Sequence, residues 1–239
     1  MSLILGKFIK IITITPLLRG VWGVLNRKHN YFYKFSHYFI IALISYILFF
    51  IILFSNLSMM AQENKTDDLP YYEVPEYYET YTAGTVAARM VDGLGFRYRW
   101  ATEDLRDVDL NYKPTDSSRT TIQTIDHILG LSRVIVNATL KVPSDFGKEQ
   151  PQLTYEQKRR ETLGNFQKAS EILQNATSLT GFNMHFASSK GESEYPFWNS
   201  INGPIADAIW HCGQVTLLRR ASGNPISKKV SFLQGKIND

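Results

Sequence analysis

Between Pro204 and Gly223 the chain carries the punctuation of a single helix. Proline is tolerated at a first helical position, Gly203 or Asn202 can cap it, and Gly223 followed by Pro225 supplies a stop. That leaves about 18 helical residues, or roughly 27 Å. Such a helix must bury its apolar side against something, and three upstream segments have the same period. Between 82 and 105, Val86, Met90, Leu94, Tyr98, Ala101 and Leu105 recur at steps of three and four. Between 119 and about 140, Ile122, Ile125, Ile128, Leu129, Ile135 and Val136 form a wide apolar stripe. A third helix opens at Thr154, whose hydroxyl can cap while Gln157 reaches back, and Gly181 is placed to stop it. Residues 182–200 form a long connection without convincing alternating strand pairs. The fold class this predicts is all-α, a four-helix bundle over residues 82–225 with long connections and a tail at 226–239.

The N-terminal quarter follows a different logic. Residues 1–61 contain Lys7, Lys10, Arg19, Arg27, Lys28 and Lys34 and no acid. From Tyr38 to Ser58 runs an uncharged apolar stretch, which ends in SMMAQ before the polar ENKTDD. These are the parts of an export signal, with cleavage expected after Ala61. The run is also about 20 residues long, enough to span a bilayer. Residues 38–58 therefore read either as a cleaved signal or as a membrane anchor, and both orient the remainder outside the cytoplasm, periplasmic or extracellular. Residues 62–81, rich in Tyr, Glu and Pro, read as an extended arm whose tyrosines lie on the surface of the helices.

Charge narrows the partners. The 26 Lys and Arg against 22 Asp and Glu suggest a basic protein, but six of the bases lie in the leader. The remainder carries 20 against 22, about −2, with no aromatic-interleaved basic stripe, so no nucleic-acid partner is expected. Membrane contact is expected only through the N-terminal segment. Cys212, the single cysteine, excludes an internal disulfide and reads as a small buried filler.

One face of the last helix carries chemistry. Asp207, His211 and Gln214 recur at steps of four and three, and side chains four apart sit about 6 Å apart at Cβ. A carboxylate and an imidazole at that spacing can hold one metal ion, but a third ligand must come from elsewhere. His127 flanks the apolar stripe of the second helix, where a histidine is more often a core residue with one hydrogen bond.

TIDHILGLS around His127, together with ADAIWHCGQVTLLRRASGNP from Ala206 to Pro225, resembles the DinB-like superfamily of four-helix bundles, described as metal-dependent hydrolases or thiol transferases. The family pattern has a His in the second helix and two His four apart in the fourth, the latter followed by Gly-Gln. His127 matches the first position, and His211 with Gly213 and Gln214 matches the last. Asp207 stands where the family usually has His.

The resemblance implies a metal site of His127, Asp207 and His211, with Gln214 behind it or facing substrate. A two-His-one-carboxylate set suits a divalent transition metal such as zinc, nickel, iron or manganese, and the carboxylate shifts preference towards harder ions. Two functions remain open. One is an exported hydrolase or thiol transferase acting on a small molecule; the other is a non-catalytic envelope binding module with a degenerate site. Bundles of this size often pair, so a homodimer is compatible with either.

Overall fold

The computed structural model describes residues 43–48, 69–145, 147, 150–189 and 191–238. The chain divides into two compact units, Met1–Asp67 and Asp68–Asp239. In the first, residues 43–48 are helical. The rest of the apolar run, the expected cleavage point at Ala61 and residues 62–68 of the arm lie outside the described residues. No described helix is long and apolar enough to cross a membrane.

The second unit is mostly helical. Its elements are α1 (Ala83–Ala101), α2 (Asp107–Leu110), α3 (Thr121–Leu140), β1 (Ser144–Asp145), α4 (Tyr155–Leu173), β2 (Met184–Ser188), β3 (Gly191–Tyr195), α5 (Phe197–Ser200), a π-helical turn (Ile201–Ile205), α6 (Ala206–Ala221), β4 (Val230–Ser231) and β5 (Lys236–Ile237). The three upstream long helices start on capping boxes. Thr82 pairs with Thr85, Thr120 with Gln123, and Thr154 with Gln157, each satisfying two backbone N–H groups that a helix start leaves without partners.

Helix ends account for most departures from expectation. α1 stops at Ala101 instead of 105: the Thr102 N–H makes the last helical bond, to Tyr98 O, its hydroxyl caps the same carbonyl, and Asp104 leaves the helix with a positive φ of 52°. α4 stops at Leu173, well before Gly181. There the Asn175 side chain donates to Glu171 O, and the carbonyls of Leu173 and Ala176 lie where a Cβ on Gly84 would be. A side chain at residue 84 would collide with that backbone, so the end of α4 and the start of α1 fit together only through glycine. Nor does α6 begin on a capped Pro204. Pro204 sits inside the π-helical turn, with Gly203 out of helical conformation, and no side chain caps the start of α6. Its far end is as expected: Gly223 has φ +86° and the Asn224 N–H donates to Arg219 O.

α1 packs on α4 and α6, and α3 packs on the same two helices from the other side. Between them lies one core containing Val91, Leu94, Tyr98, Ile125, Leu163 and Phe166, with Tyr98 edge-on to Phe166 at 6.0 Å. Among the described residues every buried apolar side chain lies between Tyr71 and Leu218, so the unit Asp68–Asp239 holds a core of its own and is expected to fold by itself.

Three expectations are corrected outside the helices. The 182–200 connection contains a β-hairpin, β2 antiparallel to β3, with β1 added parallel to β2. Met184 buries against Val134 and Ala138 while β3 is exposed throughout, so only one strand shows a buried face. The 226–239 tail forms the β4–β5 hairpin, which pins the arm: Val74 N–H donates to Gly235 O, and Phe232 packs on Phe96 at 5.7 Å. The arm is also more than a surface strap. Tyr71 is 6% exposed, and its ring occupies the space left by Gly95.

Candidate metal site

α3 and α6 lie side by side, and their packing brings His127 against the first two turns of α6. His127 Nε2 lies 3.1 Å from Asp207 Oδ2, and His211 Nε2 lies 3.3 Å from Asp207 Oδ1. The two imidazoles meet edge to face, with centroids 4.6 Å apart. One ligand atom from each of the three residues lies within 4.8 Å of the others. Ligands at about 2.0–2.2 Å from a tetrahedral ion stand about 3.3–3.6 Å apart, so this triangle is the size a metal ion needs after small side-chain adjustments. His127, Asp207 and His211 could therefore hold a metal ion.

Solvent reaches two of the three. The His127 and Asp207 side chains are 36% and 38% exposed, whereas His211 is 11% exposed. The buried imidazole is also the oriented one: His211 Nδ1 lies 2.8 Å from Gln214 Oε1. With Nδ1–H donating to that oxygen, Nε2 carries its lone pair towards the carboxylate. A lone pair facing a carboxylate oxygen is electrostatically unfavourable until a cation or a proton comes between them. This is the donor arrangement of a metal-binding histidine, whose second nitrogen is held by a hydrogen-bonding neighbour.

The same four residues singled out in the sequence are thus brought together: Asp207, His211 and Gln214 by helical spacing, His127 by tertiary packing. Asp126 is directed away, where it takes an ion pair from Lys158 Nζ at 2.6 Å. Cys212 is 2% exposed, and burial pushes its thiol up to about 12, which fits a filler and not a nucleophile. His185 lies on β2, with Nε2 3.7 Å from Glu194 Oε1, apart from the group. What sequence reasoning missed is the π-helical turn immediately before Asp207. Its signal was present in Gly203-Pro204, which fits a turn inside a helix as well as a helix start. π-turns of this kind recur at functional sites because they re-aim the side chains that follow.

No family model, no curated protein and no solved structure matches the chain. What the site does has to follow from its own chemistry.

Proposed function

We propose that the chain is a DinB-like four-helix bundle, exported by its N-terminal segment, that works as a metal-dependent hydrolase or thiol transferase on a small molecule. The observation that carries this reading is the convergence of His127 and His211 Nε2 on one carboxylate, with Gln214 holding the far nitrogen of His211. The arrangement of α1, α3, α4 and α6, each long helix packed on two of the others, supports the bundle.

When bound, a divalent ion at such a site acts as a Lewis acid towards a water, a thiol or an electrophilic oxygen. The chain's own contribution is positional. His211 is buried and fixed by Gln214, so it sets the direction of the site. His127 and Asp207 are open to solvent, which leaves room on their outer side for a small substrate. Asp207 in place of a third imidazole brings a negative charge, which strengthens cation binding while favouring harder ions than an all-histidine set.

A second reading has a specific observation behind it. If His127 and His211 each carry a proton on Nε2, with the Gln214 amide turned so that its NH2 donates to His211 Nδ1, both imidazoles donate to Asp207 and the cluster is satisfied without an ion. This is the non-catalytic binding module, in which the cluster is a structural tie between α3 and α6.

Elemental analysis of Asp68–Asp239, purified without affinity metals, separates the two. About one metal per chain, lost in His127→Ala and in Asp207→Ala while the helical circular dichroism stays, is the outcome expected of the metal site. A protein that takes up no zinc, nickel, iron or manganese overturns it in favour of the structural tie.

A further inference from the structure

The side of α6 turned away from His127 borders a second feature. A groove of about 310 Å3 runs between α6, the Arg97 region of α1 and the C-terminal hairpin. Its walls are apolar at Ile209, Leu217 and Phe232, which are 36%, 62% and 38% exposed. Arg97 and Arg220 line it as well.

Two observations point to a ligand of particular chemistry. The first concerns charge. Arg97 donates one bond, from Nη1 to Gly93 O, and its guanidinium lies 6.0 Å from the Phe232 ring. Among the described residues neither Arg97, whose bond goes to a backbone carbonyl, nor Arg220 has a carboxylate within ion-pair distance. Two guanidiniums bordering one groove, with donors to spare and no acid, present a site for an anion. The second concerns Gly213, which also lines the groove. A glycine in the middle of a helix costs about 1 kcal/mol relative to alanine. Here no packing reason offsets that cost, because a Cβ on Gly213 would meet no heavy atom within 4 Å. The missing side chain leaves the floor of the groove open.

We propose that this groove binds a single-chain amphiphilic carboxylate. The head group lies between Arg97 and Arg220, and the hydrocarbon chain lies along Ile209, Leu217 and Phe232 over Gly213. The volume is at the lower end for ligand sites, which run from about 300 to 1,000 Å3, so a medium-length chain fits better than a two-chain lipid. The site is separate from the candidate metal cluster and stands or falls without it.

The test is calorimetric titration of decanoate and of decanol into Asp68–Asp239. Saturable binding of one decanoate per chain is expected, with decanol at least about tenfold weaker, because a hydrogen bond to a charged group is lost. Arg97→Gln and Arg220→Gln each weaken decanoate by about tenfold or more on the same grounds. Gly213→Leu fills the floor and abolishes binding. Leucine is a better helix former than glycine and a Cβ there meets nothing within 4 Å, so the unfolding midpoint of Gly213→Leu itself, expected at or above the parent's, shows that its loss of binding does not come from loss of fold. His127→Ala leaves decanoate binding unchanged; a drop there means that the carboxylate was held by the metal cluster, and overturns the proposal. Equal binding of decanol, no effect of Arg220→Gln, or association only with phosphatidylglycerol vesicles and none with free decanoate overturns it too, the last in favour of a membrane-docking face.

Discussion

His211 Nδ1 and Gln214 Oε1 lie 2.8 Å apart on successive turns of one helix, and this bond decides which nitrogen of His211 faces Asp207. An imidazole without that partner can exchange tautomers, and the nitrogen aimed at the carboxylate is then protonated part of the time. Gln214→Ala is therefore expected to lower metal affinity by about 10- to 100-fold, the usual cost of losing the group behind a histidine ligand. Gln214 is half-buried and its side-chain hydrogen bond goes to His211, so the helical signal and unfolding midpoint should stay close to the parent's. Competition with a chromogenic chelator measures the affinity; an unchanged value removes Gln214 from the site.

Asp207 is the position where the ligand set can be changed without removing it. Asp207→Ala leaves two imidazoles and should lose the ion. Asp207→His restores three nitrogens on the same face, at the same four-residue spacing from His211, and should keep it. The preference should move with the donor: zinc and nickel retained, manganese weakened relative to them, since imidazole suits the former and carboxylate the latter. Parallel titrations of the two variants with zinc and manganese check this. Equal loss of both ions in Asp207→His would mean that the carboxylate acts by its charge or its shape and not as an exchangeable ligand.

Sequence reasoning reached the helices and half of the site for a common reason: both are local. Thr154 and Gln157 find each other within one turn, and Asp207 and His211 share a face whatever surrounds them. His127 stands 80 positions from Asp207, and no periodicity connects them; only the resemblance brought it in. The end of α4 was illegible because it is fixed by Gly84, a residue of another helix. The β2–β3 hairpin was missed because β3 buries nothing, so its residues carry no alternation of apolar and polar. Tyr71 gave no sign of being core because the space it fills belongs to Gly95, 24 positions later.

That pair makes a direct test of how the arm is held. A Cβ at residue 95 would fall 2.4 Å from Tyr71 Cε2, well inside contact distance. Gly95→Ala gains about 1 kcal/mol of helix propensity but forces the ring out, and overpacking of this kind costs about 1–3 kcal/mol. A net loss of stability is expected. Tyr71→Ala alone leaves a cavity and costs about 3–5 kcal/mol, as large aromatic deletions do. In the double variant the clash is gone and the added methyl fills part of the hole, so it should be more stable than the sum of the single effects by a coupling of about 0.5–3 kcal/mol. Urea denaturation of the four proteins reads this cycle; additive losses would show that Tyr71 does not occupy the Gly95 notch.

Two buried aspartates should give stability opposite dependences on pH. Asp92 is 1% exposed and accepts from the Tyr71 and Tyr78 hydroxyls, but burial outweighs those bonds and raises its carboxyl above the ordinary 3.8. The folded state then holds this proton more tightly than the unfolded chain, so the contribution of Asp92 is complete below 3.8 and is lost as pH rises through the raised value. Asp109, fully buried, is the reverse. Arg106 holds it by two guanidinium bonds and a backbone N–H, and Ser222 and Asn224 add one bond each, so its carboxyl lies well below the usual range. Its contribution is present above 3.8 and is lost as pH falls below it. Asp92→Asn should therefore cost less, relative to the parent, near about pH 6 than near about pH 3, while Asp109→Asn should cost more near about pH 6 than near about pH 3. Urea midpoints at the two pH values decide both signs at once, provided the urea dependence of each variant stays parallel to the parent's. If Asp92→Asn instead costs more near about pH 6, as Asp109→Asn does, the Asp92 carboxyl is lowered and the bonds from Tyr71 and Tyr78 outweigh burial; a cost equal at the two pH values means an unshifted carboxyl, and either result overturns the expectation.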